Sequence, residues 1–275
     1  MRSGTAIFRS FIPTRGGPSL DLRIGLGKKI RMRANYKLQR LYLESPLAPG
    51  ESVPLGKEQA HYLLTVLRLD DGARVLVFNG RDGEYGATLR PQGKKSANLE
   101  IGKQTRAQPE PSRLDFLFAP IKVGRLDYLV QKATEMGVRK ITPVFTDHTQ
   151  LHKVNDGKLA ANILEAAEQC GNLAIPELGE AVKLEAMLAN WDPERRIIFC
   201  NESQAGNNPA GILSAIIERD LALLVGPEGG FSEREREMLT TLPFVTPIPL
   251  GPRILRADTA AVAALTAVQM TIGDW

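Results

Sequence analysis

The sequence predicts an α/β fold: a parallel sheet with helices on both faces, preceded by a small β-rich module. Three observations carry this. From residue 113 onward, short apolar runs alternate with amphipathic stretches of helical period. Residues 41–105 instead show short strand-like runs and a hairpin signal. Residues 104–111 between them are polar and rich in breakers, which makes them the best domain boundary.

Residues 1–39 stand apart from both. They carry the breaker run Pro13-Thr14-Arg15-Gly16-Gly17-Pro18, and residues 1–40 hold ten Lys/Arg against one acid, Asp21. A basic RNA-holding arm, an organelle transit peptide and a start codon placed too early, with Met32 as the true start, all fit this composition. We assign the segment no function. In the small module, residues 41–43 begin a strand. Residues 59–68 form a short helix with Ala60, Leu63, Leu64 and Leu67 on one face. Residues 74–79 and 84–90 flank Asn79-Gly80-Arg81-Asp82-Gly83 as a hairpin with a long loop.

In the larger part, residues 114–119 read as a buried strand. Residues 125–137 read as a helix, with Leu126, Leu129, Val130, Ala133 and Met136 at helical spacing and Gly137 as its stop. A strand over 141–145 and a helix over 156–171 follow, the latter capped by Asn155 or Asp156 and stopped by Gly171. The pattern continues as strand 197–200, helix 211–219, strand 221–225, helix 233–240, strand 245–248 and helix 258–270.

Composition narrows the function. The chain has 275 residues, 24% charged and 43% hydrophobic, which excludes global disorder. No apolar run approaches the length of a membrane span, and no membrane partner is expected. Two cysteines, Cys170 and Cys200, cannot build a disulfide framework, and no secretory segment precedes them, so a reducing compartment is expected. His61, His148 and His152 form no metal-ligand spacing with them, and no metal is expected. Beyond residue 40 the chain holds 25 basic and 30 acidic residues, so its net charge of +4 is not in itself a nucleic-acid signal.

Ligands of open α/β sheets bind beyond the carboxyl ends of the strands. Two such ends are unusual here. Gly226-Pro227-Glu228-Gly229-Gly230-Phe231-Ser232 directly follows the strand 221–225. One glycine suffices for a tight strand-to-helix turn; three glycines with a proline and a carboxylate point to a ligand loop. Ser232 and Glu235 have capping-box spacing, so a helix N-terminus faces the loop. The second end is Leu250-Gly251-Pro252-Arg253-Ile254-Leu255-Arg256-Ala257-Asp258-Thr259-Ala260, with Asp258 where an N-cap belongs. Arg256 there is either a surface charge or a cation reaching a developing negative oxygen. No GxxxxGK[ST] phosphate loop and no GxSxG nucleophile elbow occurs.

Together these two loops resemble the signature of the RsmE family, the 16S ribosomal RNA (uracil-N3)-methyltransferases of the SPOUT superfamily. Arg40-Leu41-Tyr42, His61, Val66-Leu67-Arg68 and Phe78-Asn79-Gly80 resemble that family's PUA-like N-terminal domain. The helix Gln131-Lys132-Ala133-Thr134-Glu135-Met136-Gly137-Val138 and the run Glu165-Ala166-Ala167-Glu168-Gln169-Cys170 resemble two further family motifs. The resemblance spans about residues 40–275 and implies a PUA-like β-barrel over 40–108 and a SPOUT domain with a C-terminal trefoil knot over 112–275. It further implies a cytoplasmic homodimer (organelle targeting by residues 1–39 being the minor alternative), S-adenosylmethionine as methyl donor, no metal, and N3 of a uridine in the 16S decoding region of the small subunit as target.

Carried onto this sequence, the resemblance places the cofactor against Asn201, Glu202, Gly226, Pro227, Glu228, Gly229, Gly230, Leu250, Gly251, Ile254, Leu255, Arg256 and Thr259. Arg256 is the candidate catalytic cation, and Glu228 and Glu135 are the candidate bases for the weakly acidic N3–H. For Glu228 the bland alternative is a backbone cap; for Glu135 it is a helix-surface salt bridge. His61, Arg68, Lys122, Arg125 and Lys132 are the candidate RNA contacts. The chain departs from the family at Asp147 and His148, where a basic pair is usual, and at Asn172, where an arginine is usual. Those departures remove positive charge from an edge expected to face RNA or the active site. Ribose 2′-O-methylation and a catalytically weak RNA-binding assembly role are the rival readings.

Overall fold

The computed structural model describes residues 38–93, 95–201 and 208–275. Residues 1–37 and Glu202, both subjects of expectations above, lie outside them. The small module is a five-stranded half-barrel built from β1 (Arg40–Tyr42), β2 (Ser52–Pro54), β3 (Arg74–Phe78), β4 (Glu84–Pro91) and β5 (Ala97–Arg106), in the order β1-β3-β4-β5-β2. β1 pairs parallel to β3 and the other pairings are antiparallel. Val75, Val77, Leu89 and Leu99 fill its interior. The helix expected over 59–68 is α1 (Lys57–His61) continued by a π-turn, Tyr62–Val66, and it ends at Arg68, which sits at φ +53°. β2 and β5 were not foreseen. β5 runs to Arg106, into the stretch expected to be linker.

The larger sheet contains β6 (Leu114–Phe118), β7 (Lys140–Phe145), β8 (Glu177–Leu178), β9 (Val182–Lys183), β10 (Arg196–Cys200), β11 (Leu221–Val225) and β12 (Val245–Ile248). Its order is β12-β10-β11-β6-β7-β8, with β9 also on β7, and every pairing is parallel. Seven helices complete the described chain: α1, then α2 (Val123–Glu135), α3 (Asp156–Cys170), α4 (Leu184–Ala189), α5 (Pro209–Ser214), α6 (Glu233–Thr241) and α7 (Ala257–Ile272).

Strand alternation divides the core between two faces. Phe116, Phe118, Leu223 and Val225 pack with Leu129, Leu159 and Leu265 of α2, α3 and α7. Leu117, Phe199 and Leu224 point the other way and pack with Leu184 of α4 and Leu239 of α6. Helices on both faces explain why β6 and β11 read as continuous apolar runs. The exception, Asp115, is buried in β6 and holds Arg139 and Arg195 at 2.8 and 2.5 Å.

Three helix ends differ from expectation or settle an alternative. Asn155 is the N-cap of α3, accepting from the Lys158 N–H. α5 starts and stops earlier than expected because Asn208 caps it and Pro209 occupies its first turn. α7 is preceded by Arg256, not Asp258, at its N-cap; Asp258 lies in the first turn and accepts from the Thr259 N–H at 2.9 Å.

Buried charge joins the half-barrel to α3. Arg40 Nε, Arg106 Nη2 and Thr105 Oγ1 all donate to Glu84, at 2.7, 2.8 and 2.8 Å. The same arginines donate onward to the Glu168 and Gly171 carbonyls, and Gln108 donates to that of Leu173. Burial pushes the Glu84 carboxyl up, but the hydrogen bonds from Arg106, Arg40 and Thr105 outweigh it and bring it to about 2. Among the described residues no helix is long and apolar enough to cross a membrane.

Candidate active site

The parallel pairing of β10, β11 and β12 brings their carboxyl ends to one edge, where a cavity of about 140 Å³ opens. Both unusual loops reach it. From the glycine loop come Gly226, Pro227, Glu228 and Gly230; from the loop after β12 come Leu250, Gly251, Ile254 and Leu255. Asn201, at the end of β10, forms another wall, and its N–H donates to the Ile248 carbonyl.

The glycine loop is tightly set. A Cβ on Gly226 would lie 2.6 Å from the Phe231 ring, which packs edge-on against Phe199. Gly230 has φ +68°, and its N–H donates to the Pro227 carbonyl. Ser232 and Glu235 form the expected capping box. The departures at Asp147 and His148 brace this loop from the segment after β7. The Ser232 hydroxyl donates to Asp147, and the Asp147 N–H donates to Glu235. Hydrogen bonds from Ser232 and Arg234 hold the Asp147 carboxyl below its ordinary range. His148 Nδ1 lies 3.1 and 3.2 Å from the Gly229 and Gly230 carbonyls, two acceptors, so that nitrogen carries the proton. Asn172 donates to the Thr134 carbonyl near the end of α2. These three residues therefore organise backbone rather than leave an edge merely short of charge.

The loop after β12 is built differently. The backbone N–H groups of Leu250, Gly251 and residues 253–256 find no protein acceptor among the described residues. Gly251 sits at φ +92° with open space before its Cα, and Ile254 is 90% exposed. Backbone donors at a cavity require water or a ligand as partner.

Of the candidate catalytic residues, Glu228 lines the cavity and accepts from the Lys122 N–H at 3.3 Å. Glu135 is not in the lining; it pairs with Lys132 at 2.6 Å on α2, which is the bland alternative named above. That pair also occupies Lys132, one of the candidate RNA contacts. Arg256 is exposed at the start of α7, and it, Gly229 and Thr259 are outside the cavity wall. Arg125 approaches Asp258 at 3.9 Å, while His61 and Arg68 are exposed on the half-barrel.

The lining also includes residues the sequence reading missed. Cys200 and Val225 end β10 and β11, so the strand-end rule alone would have found them. Burial pushes the Cys200 thiol up to about 12, which makes it an inert wall. Arg236 of α6 carried no distinguishing signal, lying in the alternating charges of Glu233-Arg234-Glu235-Arg236-Glu237. Among the described residues no cluster of metal-ligating side chains occurs.

Comparison with known proteins agrees with this arrangement. Residues 108–269 match the model of an RNA methyltransferase domain, and residues 55–102 match that of an RNA methyltransferase PUA domain. The chain is 34% identical over 238 residues to the ribosomal RNA small subunit methyltransferase E of Rickettsia conorii, covering 85% of this chain and 96% of the relative. It is 26% identical to the Bacillus subtilis protein of the same name, over 84% and 96% of the two chains. Among solved structures, that of the Neisseria gonorrhoeae methyltransferase E bound to S-adenosylmethionine superposes with TM-score 0.77 at 26% identity, covering 86% of this chain and 99% of that one. A Legionella pneumophila putative methyltransferase with the same bound cofactor gives 0.75 at 30% identity, over 87% and 100%.

Proposed function

The chain belongs to the ribosomal RNA small subunit methyltransferase E family, and we propose that it moves the methyl group of S-adenosylmethionine to N3 of a uridine in 16S ribosomal RNA. The observation that carries this reading is the convergence of both signature loops on one cavity at the carboxyl edge of a parallel sheet.

The residues present fit that donor. Val225, Leu250, Ile254, Leu255 and Ala260 give apolar walls for a flat aromatic group, and the unpaired N–H groups of Leu250, Gly251 and residues 253–256 give donors for its polar edge. When bound, the donor supplies an activated methyl on a sulfonium. The chain must then orient the uracil and take its N3 proton, because N3 attacks only after deprotonation. Glu228 is the base in this reading, since its carboxylate lines the cavity and the Lys122 N–H orients one oxygen. Arg256 supplies positive charge for the negative oxygens that develop on the uracil ring. His61, Arg68, Lys122 and Arg125 hold RNA phosphates, the target base being unstacked to expose N3. The small ribosomal subunit as the form bound, a homodimer, a trefoil knot at the C-terminal part and a cytoplasmic site of action belong to the same proposal.

The test is to incubate the purified chain with adenosylmethionine and small subunits lacking the modification, digest the RNA and identify nucleosides by mass spectrometry. 3-Methyluridine is expected. 2′-O-methyluridine overturns the mechanism, and donor binding without product favours the RNA-binding role.

A further inference from the structure

The cavity holds a carboxylate and a guanidinium that do not meet. Glu228 enters it from the glycine loop and Arg236 from α6, and among the described residues neither forms an ion pair. Arg236 is half-buried, and Nη1 donates to the Phe231 carbonyl at 2.9 Å, which fixes the guanidinium in the wall. A guanidinium has five N–H donors in a planar fork, so most remain for a ligand. Held in the wall with no counter-charge among the described residues, the guanidinium is placed to receive a ligand's anion. Arg253 also lines the cavity, but it is exposed in the open loop, where solvent and salt weaken its hold.

The methyl donor carries one carboxylate, at its amino-acid end. Glu228 repels that carboxylate from its own side of the cavity, and Arg236 attracts it. We propose that Arg236 binds the carboxylate of the donor's amino-acid end and so selects both the donor and its orientation, leaving the Glu228 side for the uracil. The assignment rests on the methyl-donor reading above.

Calorimetric titration of the full chain with adenosylmethionine and with its decarboxylated analogue tests it. The wild-type chain should bind adenosylmethionine at least about 10-fold more tightly than the analogue, as expected for a charge-assisted hydrogen bond. In Arg236→Met, affinity for adenosylmethionine should fall about 10-fold or more and affinity for the analogue less than about 3-fold, so that the preference disappears. Arg236→Lys, which keeps the charge without the fork, should retain part of it. Thermal unfolding establishes that both variants are folded. A preference that survives in Arg236→Met overturns the assignment, as does an equal loss for both ligands. So does loss of RNA binding alone, which would place a phosphate on Arg236. Binding of neither ligand by the wild-type chain is a different failure, that of the donor reading itself.

Discussion

Charge is treated oppositely in two regions of this molecule. Where the half-barrel meets α3, Glu84 is 3% exposed, and two arginines and a threonine donate to it. Glu228, Arg236 and Arg253 in the cavity wall, and Arg256 just outside it, form no ion pair among the described residues. A satisfied buried cluster fixes how two elements sit together. Charges left without ionic partners beside a cavity are available to a ligand. The contrast assigns stability to one region and chemistry to the other, and each assignment can be broken separately.

The largest effect is expected at the joint. Glu84→Gln leaves Arg40 buried without its counter-charge, and should cost about 3–5 kcal/mol in urea unfolding while methyl transfer by the folded fraction persists. The pH dependence has a definite sign. The Glu84 carboxyl falls from 4.5 to about 2 on folding, so its contribution is full above about pH 4.5 and is lost as pH drops toward 2. The variant should lack that component of acid destabilisation. A loss of catalysis with unchanged stability would reverse the assignment.

Just outside the cavity wall, Arg256→Gln should lower the single-turnover rate about 100-fold or more while shifting unfolding by less than about 1 kcal/mol. Gly226→Ala drives a methyl group into the Phe231 ring. It should cost about 1–3 kcal/mol and weaken donor binding, both measurable by thermal unfolding with and without adenosylmethionine. The smallest effect is expected for His148→Ala. Losing its bond to the loop carbonyls should weaken donor binding by about 3- to 10-fold, with partial recovery in His148→Asn, which restores a donor.

The sequence already disclosed the elements whose cause is local. β11 begins and ends where its apolar run does, and the capping box at Ser232 is local chemistry. What it concealed depends on partners distant in the chain. β8 and β9 have two residues each and exist only because β7 offers an edge. α7 begins one residue before Asp258 despite the cap preference of aspartate, because tertiary context overrides local propensity. In the site, glycine and proline spacing pointed to both loops, but nothing in the sequence separated Glu135, paired with Lys132, from Glu228, held by the Lys122 N–H. Nor did it show that Asp147 and His148 sit against the glycine loop, since that contact spans more than 80 residues.

Glu228→Gln tests the division of labour most directly, with unfolding free energy and the single-turnover rate of 3-methyluridine formation measured on the same preparation. The account predicts a stability within about 1 kcal/mol of wild type and a rate lowered about 100-fold or more. An unchanged rate, or a rate that falls only in step with lost stability, would contradict it.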